Sequence, residues 1–297
     1  MSASRSHLEP ALHRILQELD AYLPDLLIIG GWVPYLYKWY GTNVPWQSSL
    51  SFTSEVDVLA PNRLTRNERP LLREILDAAH FRPAQSPEMS AVWEGDVERG
   101  EKIEFFVVRN GPLTTADAPT PIADQQMIGA IPLDTLDLLQ RNAAVLAVPT
   151  TLPNGDVRTV QVRVPQLGAY ALNKCQTFNR RLSSATTEGA QKRVKDLLYL
   201  RDLMAAGNEV VKRIRHDIAN YLPAEQHEVD SAINALHLIL RPPKVALFTE
   251  VGHILAERDG INPAAARADV QGYLTDLAEL LEPYQSPRVA DADFDDE

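Results

Sequence analysis

The chain has 297 residues, of which 45% are hydrophobic and 23% charged, and its formal net charge at pH 7 is −11. This composition is typical of a soluble globular protein with one large domain or two ordinary ones. Its one cysteine excludes a disulfide framework and a thiolate metal site, and a polar start without a membrane-length apolar run predicts a cytoplasmic protein.

The first elements alternate between helix and strand patterns. Leu8–Tyr22 carries apolar residues at helical spacing, and Leu26–Ile29 is a short apolar run that predicts a buried strand. Gly30 and Gly31 follow this strand and favour a backbone turn that other residues adopt with difficulty. Trp32–Tyr40 is predicted to be a short helix whose aromatic side chains either fill the core or also form a wall for base stacking.

Carboxylates dominate the next two predicted strands. Ser54–Leu59 alternates strictly, so Glu55 and Asp57 point to one face of the strand. Two adjacent carboxylates repel each other, but a hard divalent cation between them makes the arrangement favourable. Glu101–Val108 is a second strand and carries Glu104 among apolar residues. If the two strands pair, three carboxylates converge on one metal site.

The segments up to residue 165 are short and interrupted by proline and glycine. Their patterns predict, in turn, a helix, a strand paired with Glu101–Val108, a long loop, a helical turn, and two strands joined at Asn154-Gly155. In chain order these segments are Glu68–His80, Ser90–Glu94, Asn110–Ala130, Leu133–Leu139, Ala143–Val148 and Val157–Val164.

From Pro165 onward the apolar spacing is helical. The predicted helices are Gln166–Leu182, Glu188–Ala206, Glu209–Tyr221, Ala224–Leu240, Lys244–Arg258 and Pro263–Leu281. Ser183–Thr187 is a polar connector, and residues 286–297 are an acidic tail predicted to be disordered. We therefore expect an α+β protein, with a mixed sheet flanked by helices over residues 1–165 and a helical bundle over residues 166–285.

Positive charge is concentrated in one part of the chain. Residues 158–215 contain twelve Lys or Arg and four acids, a net charge of +8, which leaves −19 on the remainder. A basic block beside an acidic cluster suits a site that holds both a polyphosphate and a metal. The alternative is a set of solvated helix faces.

Within this block, a lysine and a later Lys-Asp pair are further candidate site residues. Lys174 lies on one predicted helix, and Lys195-Asp196 lies on the next. Lysine offers a point charge to a triphosphate. The alternative is structural, with Lys174 forming an interhelix salt bridge to Asp196, which could equally hold Lys192 or Arg193.

The order of the first motifs resembles the nucleotidyltransferase fold of the DNA polymerase β-like superfamily. The resemblance is carried by Gly30-Gly31, a helix, the acid-hydrophobe-acid motif at Glu55 and Asp57, and Glu104 on a later strand. The chain has Glu55 where that family more often has Asp, and Gly31 where it often has Ser.

With Lys174 and the Lys195-Asp196 pair included, the pattern resembles the AbiEii subgroup of these proteins. They are the toxins of type IV abortive-infection and toxin–antitoxin systems. The resemblance spans about Leu26 to Leu203 and makes residues 1–165 the expected nucleotidyltransferase core domain. It implies transfer of a nucleoside monophosphate from an NTP to an acceptor hydroxyl, with RNA, in particular the 3′ end of tRNA, as acceptor, and a possible antitoxin partner.

The resemblance also implies roles for the acids and the glycines. Glu55 and Asp57 would hold two Mg²⁺ ions, and Glu104 would ligate the ion nearer the acceptor and accept its proton. Gly30 and Gly31 would bring backbone N–H groups to the phosphates.

The helical half would contribute the remaining nucleotide contacts. Lys174 would neutralise the triphosphate, and Asp196 would orient Lys174. Arg193 and Lys195 are additional candidates for binding the triphosphate. Ser54, at the start of the acidic strand, is a further nucleotide-binding candidate.

Two other function classes remain open at this point. The same fold adenylylates small molecules and proteins, and a chain that had lost activity would act as a nucleotide- or partner-binding module. Zinc chemistry is disfavoured, since the seven histidines show no metal-ligand spacing such as HExxH.

Overall fold

The structure is a computed structural model, and it describes residues 5–41, 46, 50–51, 53–84, 86, 88–96, 98–109, 118–151, 155–181, 187–221, 224–241 and 245–286. The predicted connector up to residue 186 and the predicted tail beyond residue 286 lie outside these residues.

Within these ranges ten α-helices are present, and six of them follow the strands as predicted. Their bounds are α1 Arg5–Glu18, α2 Trp32–Tyr40, α3 Leu72–Ala78, α4 Asp137–Arg141, α5 Leu167–Arg180, α6 Thr187–Met204, α7 Asn208–Tyr221, α8 Gln226–Leu240, α9 Val245–Asp259 and α10 Pro263–Leu281. In this described part of the chain, no helix combines the length and the apolar character that crossing a membrane requires.

The same ranges contain nine strands, seven of which join one mixed sheet. Their bounds are β1 Leu27–Ile29, β2 Glu55–Ala60, β3 Arg82–Pro83, β4 Val92–Glu94, β5 Lys102–Val108, β6 Thr120–Pro121, β7 Gly129–Leu133, β8 Ala143–Thr151 and β9 Val157–Pro165. The α+β class and the order of a mixed sheet followed by helices are confirmed.

The sheet places the two acidic strands side by side at its centre. Its strand order is β1-β2-β5-β4-β3, with β7 beside β5 and β6 outside β7. β2 runs parallel to β5, whereas β1 runs antiparallel to β2. β4 pairs antiparallel with the first residues of β5, as predicted, and β7 pairs parallel with its last residues.

The predicted loop Asn110–Ala130 is wrong in part, because β6 and the first residues of β7 lie within it. β7 reads Gly129-Ala-Ile-Pro-Leu, which shows no polar alternation, and Pro132 has no N–H to donate to a ladder. Such a segment becomes a strand because β5 pairs with it from Phe106 to Val108. The predicted helical turn that follows is a 3-10 turn leading into α4.

A two-stranded ribbon connects the sheet to the helical half. β8 and β9 pair antiparallel along their whole length, and alternate residues such as Val148, Val160 and Val162 are buried. The ribbon packs against α1, α2 and β1. Tyr37 of α2 donates a hydrogen bond to the carbonyl of Pro165 at 3.0 Å, so the helix after the glycine pair is tied to the end of the ribbon.

Helix α5 is the centre of the helical half, where it packs against α6, α7 and α8. The hydrophobic cluster that contains Ile28 and Ile103 of the sheet also contains Leu172 of α5 and Leu197 of α6. The sheet and the helices therefore share one core. The division into domains at Pro165 stays a prediction.

Candidate functional site

The three acids named from the sequence lie on one face of β2 and β5. Asp57 is the direct register partner of Glu104 in this parallel pair, and Glu55 pairs with Lys102. Because side chains alternate along a strand, Glu55 lies on the same face as Asp57. Register therefore places three carboxylates on adjacent positions of the two central strands.

A glycine turn closes over Asp57. Ile29 at the end of β1 pairs with Asp57, and Gly30 then turns the chain away with a φ of +71°. A Cβ built on Gly30 would lie 1.9 Å from Oδ2 of Asp57. Gly30 is thus required twice, for its left-handed conformation and because the Asp57 carboxylate fills the space of a side chain.

Gly31 is required for a different reason. It is the N-cap residue of α2 and has an ordinary helical conformation. A Cβ on Gly31 would lie 2.4 Å from the hydroxyl oxygen of Tyr199 and 2.8 Å from Cγ2 of Thr53. A side chain at this position would therefore force Tyr199 or Thr53 to move. The N-terminus of α2 is positively polarised and suited to an anion.

The surroundings of Asp57 disfavour the ionised form of its carboxyl group. Burial, together with the negative charges of Glu55 and Glu104, raises the pKa of Asp57 to about 8, although the positive charges of Lys174 and Lys195 oppose the rise. At neutral pH Asp57 therefore holds a proton when no cation is bound. The arrangement has an excess of negative charge that a divalent cation would compensate.

The carboxylates are not assembled into a metal site in this structure. Across the described ranges, no three His, Cys, Asp or Glu side chains come together as a metal-binding group. The backbone positions of Glu55, Asp57 and Glu104 are adjacent, and the convergence of their side chains on one metal site stays a prediction. The carboxylate of Glu55 has a cationic partner, since its Oε1 lies 3.7 Å from Nζ of Lys195.

Lys174 of α5 lies in a nearly buried pocket between α5 and α6. Only 9% of Lys174 is exposed, and its Nζ lies 3.4 Å from Oδ1 of Asp196. The same Nζ lies 5.4 Å and 5.2 Å from the ring centroids of Tyr170 and Tyr199, within range of cation–π attraction. Asp196 also pairs with Arg181. The interhelix salt bridge is therefore present.

One face of α6 lies along the acidic strand and the glycine turn. Lys195 and Tyr199 are one helical turn apart, so they share a face of the helix. Lys195 pairs with Glu55, and the hydroxyl of Tyr199 crowds Gly31. Burial, followed by the charges of Asp57 and Glu55, raises the pKa of the Tyr199 hydroxyl, which stays protonated.

Tyr199 was missed by sequence reasoning. The one available signal was its spacing of four residues from Lys195. A tyrosine among apolar residues of a helix normally indicates a core position, and Tyr199 is also buried in the core, with 4% exposed.

The remaining candidates lie at the edge of this group. Arg193 donates to the carbonyl oxygen of Arg181 at 2.6 Å, which braces the end of α5. Ser54 is exposed, and its Oγ lies 3.5 Å from Oε2 of Glu55. Gly30, Asp57 and Lys195 thus lie together at the acidic face, whereas Arg193 contacts the end of α5.

Comparison with known proteins identifies the region that contains these residues. A protein-family model described as a nucleotidyltransferase matches residues 11–218, about seventy percent of the chain. The match begins in α1 and ends in α7, so it includes the glycine turn, the acidic strands and the Lys174–Asp196 pair. No curated protein matches the chain.

Proposed function

The chain belongs to the nucleotidyltransferase family, and we propose on this premise that it transfers a nucleoside monophosphate from an NTP to an acceptor hydroxyl with the help of divalent metal ions. The observation that carries this proposal is the placement of Asp57. Its carboxylate lies against Gly30, and Glu104 is its register partner on β5, so the glycine turn and two candidate metal ligands occupy neighbouring positions.

The residues present fit a divalent cation by their chemistry. Carboxylate oxygens are the ligands that Mg²⁺ prefers, and a bound cation would favour the ionised form of Asp57, which burial and the two neighbouring acids disfavour. Glu55, Asp57 and Glu104 would hold the ions. Bound Mg²⁺ would supply a positive charge to the triphosphate and to the oxygens that gain charge in the reaction.

In the reaction, a bond forms between the acceptor oxygen and the α-phosphorus. The bond from that phosphorus to the bridging oxygen breaks, and pyrophosphate leaves. Glu104 would accept the proton of the acceptor hydroxyl. The backbone N–H groups at Gly30 and Gly31, with the N-terminus of α2, would bind the terminal phosphates.

Lys174 would bind phosphate from the helical side of the site. Its pairing with Asp196 fixes the direction of the side chain, and its ammonium lies within cation–π distance of the rings of Tyr170 and Tyr199. A nearly buried ammonium that faces the acidic group restores part of the charge balance when a triphosphate enters. Lys195 would also bind phosphate once its ion pair with Glu55 is broken.

RNA is the acceptor that the charge distribution supports best. α6 carries the exposed Lys192 and Lys195 beside the acidic face, so the basic block borders the site through this helix. Phosphates of an RNA strand would displace counterions from these side chains. The AbiEii-like spacing of Lys174 and Asp196 extends the proposal to the 3′ end of tRNA and to a toxin that a cognate antitoxin protein restrains.

The test uses purified protein with Mg²⁺ and each of four α-labelled NTPs, in the presence of total RNA. We expect label from one or more NTPs in the RNA, concentrated in the tRNA band, and none when EDTA is added. Label in a small molecule or in protein would redirect the proposal to an adenylyltransferase of that acceptor. No label, together with no NTP binding, would reject nucleotidyl transfer.

A further inference from the structure

A buried ionic group connects the C-terminal helices to the segment that enters β2. Arg258, at the end of α9, makes two hydrogen bonds with Asp202 of α6, at 2.9 and 3.0 Å. Its Nη1 also donates to Oγ of Ser51 at 2.9 Å. The backbone N–H of Ser51 donates to Oδ2 of Asp202 at 2.7 Å. We refer to Ser51, Asp202 and Arg258 as the Ser51 clamp.

Ser51 lies close in the chain to the residues of the site. It precedes Thr53 by two positions, and the methyl group of buried Thr53 lies 2.8 Å from the place that a Cβ on Gly31 would occupy. It precedes Glu55, the first residue of β2, by four positions. Ser51 therefore lies directly before the residues that contact the glycine turn and begin β2.

The helix side of the clamp continues the face of α6 that borders the site. Lys195, Tyr199 and Asp202 follow one another at intervals of four and three residues, which places them on one face of the helix. They contact, in turn, the start of β2, the glycine turn and Ser51. Asp202 is thus the last of three contacts that align α6 with the site.

The clamp has a charge arrangement that keeps Arg258 ionised and fixed. Burial lowers the pKa of Arg258, but hydrogen bonds to Asp259 and the charge of Asp202 outweigh this and raise it. Arg201 pairs with both of these acids and with Asp269 of α10. A guanidinium can bind two carboxylate oxygens and a hydroxyl at once because its donors form a planar fork.

Stability alone is a poor explanation for such a group. Removing an arginine and a carboxylate from water costs free energy that their attraction often does not exceed. Asp202 is 1% exposed, so this cost is large here. A geometric role explains the arrangement better, since the clamp joins three segments that are far apart in sequence.

We propose that Arg258, acting through Asp202 and Ser51, is a positioning residue that sets the approach of the acidic strand to the glycine turn. This inference presupposes the nucleotidyl transfer proposed above. Arg258 lies outside residues 11–218, the region matched by the family model. Helix α9 would then contribute to catalytic geometry from outside that region.

The test compares Arg258→Lys with Asp269→Asn as a matched control. Lysine keeps the positive charge but cannot span both oxygens of Asp202 and the hydroxyl of Ser51. Asp269→Asn weakens the ion pair with Arg201 in the same group and does not touch Ser51. We expect Arg258→Lys to lower kcat by about 10- to 100-fold while KM for NTP changes by less than about twofold, because a small misplacement suffices for such a loss.

Hydrogen exchange supplies a readout that does not depend on activity. In Arg258→Lys the amides of Ser51 and Thr53–Val56 should exchange about tenfold faster, whereas in Asp269→Asn their exchange should be unchanged. If the wild type transfers no nucleotide, the proposed function fails, and the exchange data still decide whether the clamp holds this segment.

A milder variant covers the case in which Arg258→Lys does not fold. Ser51→Ala removes one hydrogen bond of Arg258 and leaves the backbone N–H bond to Asp202 intact, so the same changes should appear at smaller size. Equal losses of kcat in the clamp variants and in Asp269→Asn would overturn the proposal. Unchanged exchange at Ser51 in the clamp variants would overturn it as well.

Discussion

At Asp57, packing and electrostatics act on the same carboxylate. Gly30 approaches it so closely that no side chain fits between them, and burial with two neighbouring acids raises its pKa to about 8. A group that serves only stability would not be placed in this way, because burial and the two neighbouring acids disfavour its ionised form.

The pKa of Asp57 gives a prediction for stability in metal-free protein. The pKa of this carboxyl is 3.8 without the fold and about 8 within it, so the folded state retains a proton that the unfolded state releases between these values. Stability of the wild type should therefore fall as pH rises from about 4 to about 8. Asp57→Asn lacks this loss and should be more stable than wild type at pH 8, by an amount on the order of a few kcal/mol.

Urea unfolding in EDTA at pH 4.5 and at pH 8 measures this difference. At pH 4.5 the two proteins should be similar, which serves as the control. Added Mg²⁺ should stabilise the wild type at pH 8 more than it stabilises Asp57→Asn. A variant that is less stable than wild type at pH 8 in EDTA would mean that Asp57 has a structural role.

Gly30 gives a prediction with a control inside the same chain. Gly30 and Gly260 have nearly equal φ values of +71° and +68°, but a Cβ on Gly260 would meet nothing within 4 Å. Gly260→Ala should therefore cost only the backbone strain, about 1–2 kcal/mol. Gly30→Ala adds a clash with Asp57, and we expect a larger loss of stability together with loss of NTP binding.

Thermal unfolding and NTP titration of both variants distinguish the two effects. Equal stability losses with retained NTP binding in Gly30→Ala would show that the close approach to Asp57 is not needed.

At the scale of elements, α6 is the helix that completes the site. One face of this helix contacts β2 through Lys195, the glycine turn through Tyr199, and Ser51 through Asp202. The sequence indicates the helix and its basic residues. It cannot indicate these contacts, because they join residues more than one hundred positions apart, and nothing in a helical spacing says which strand the helix covers.

The strands show the same division between what local pattern predicts and what it does not. β2 and β5 could be predicted because alternation and apolar runs are local features. Their parallel pairing, which places Asp57 opposite Glu104, could only be assumed. β7 could not be found, since Pro132 and the flanking glycine favour a loop and the strand exists through pairing with its neighbours.

The pair formed by α5 and α6 yields a prediction about Lys174. Lys174→Met keeps the apolar stem and removes the charge, so NTP affinity should fall about tenfold, which corresponds to about 1.4 kcal/mol. Arg181→Met is the matched control, because it breaks the other ion pair of Asp196 and leaves Lys174 in place. It should reduce stability with little effect on NTP affinity.

A double-mutant cycle of Lys174→Met with Asp196→Asn measures the salt bridge in the absence of nucleotide. We expect a coupling of about 0.5–3 kcal/mol in the free energy of unfolding. Asp196→Asn should destabilise more than Lys174→Met, because it leaves two cations without their partner. NTP affinity that is unchanged in Lys174→Met would reduce Lys174 to a structural role.

At the scale of the whole molecule, the unequal distribution of charge is the feature that would attract an RNA acceptor. The chain is acidic overall, yet residues 158–215 carry +8. Lys192 extends this charge along the exposed side of α6. Arg181 is less suited to RNA, since it pairs with buried Asp196.

Salt dependence tests whether RNA follows this surface. The logarithm of RNA affinity should fall by roughly 0.7 per log unit of salt for each phosphate contacted, and Lys192→Glu should lower this slope. Arg63→Glu, at an exposed position beyond the other end of β2, should leave the slope unchanged. NTP affinity should stay the same in both variants. Parallel salt lines for wild type and Lys192→Glu would exclude this face of α6 from the RNA path.

The most direct test of nucleotidyl transfer at the Asp57 face compares two positions of label in the same NTP. With α-labelled NTP, the acceptor should become labelled by the wild type, whereas with γ-labelled NTP the label should appear only in pyrophosphate. Asp57→Asn should lower the rate of formation of both labelled products at least about 100-fold, while the protein remains folded. Transfer of the γ-label to the acceptor, or α-label transfer that persists in folded Asp57→Asn, would contradict the assignment of this site.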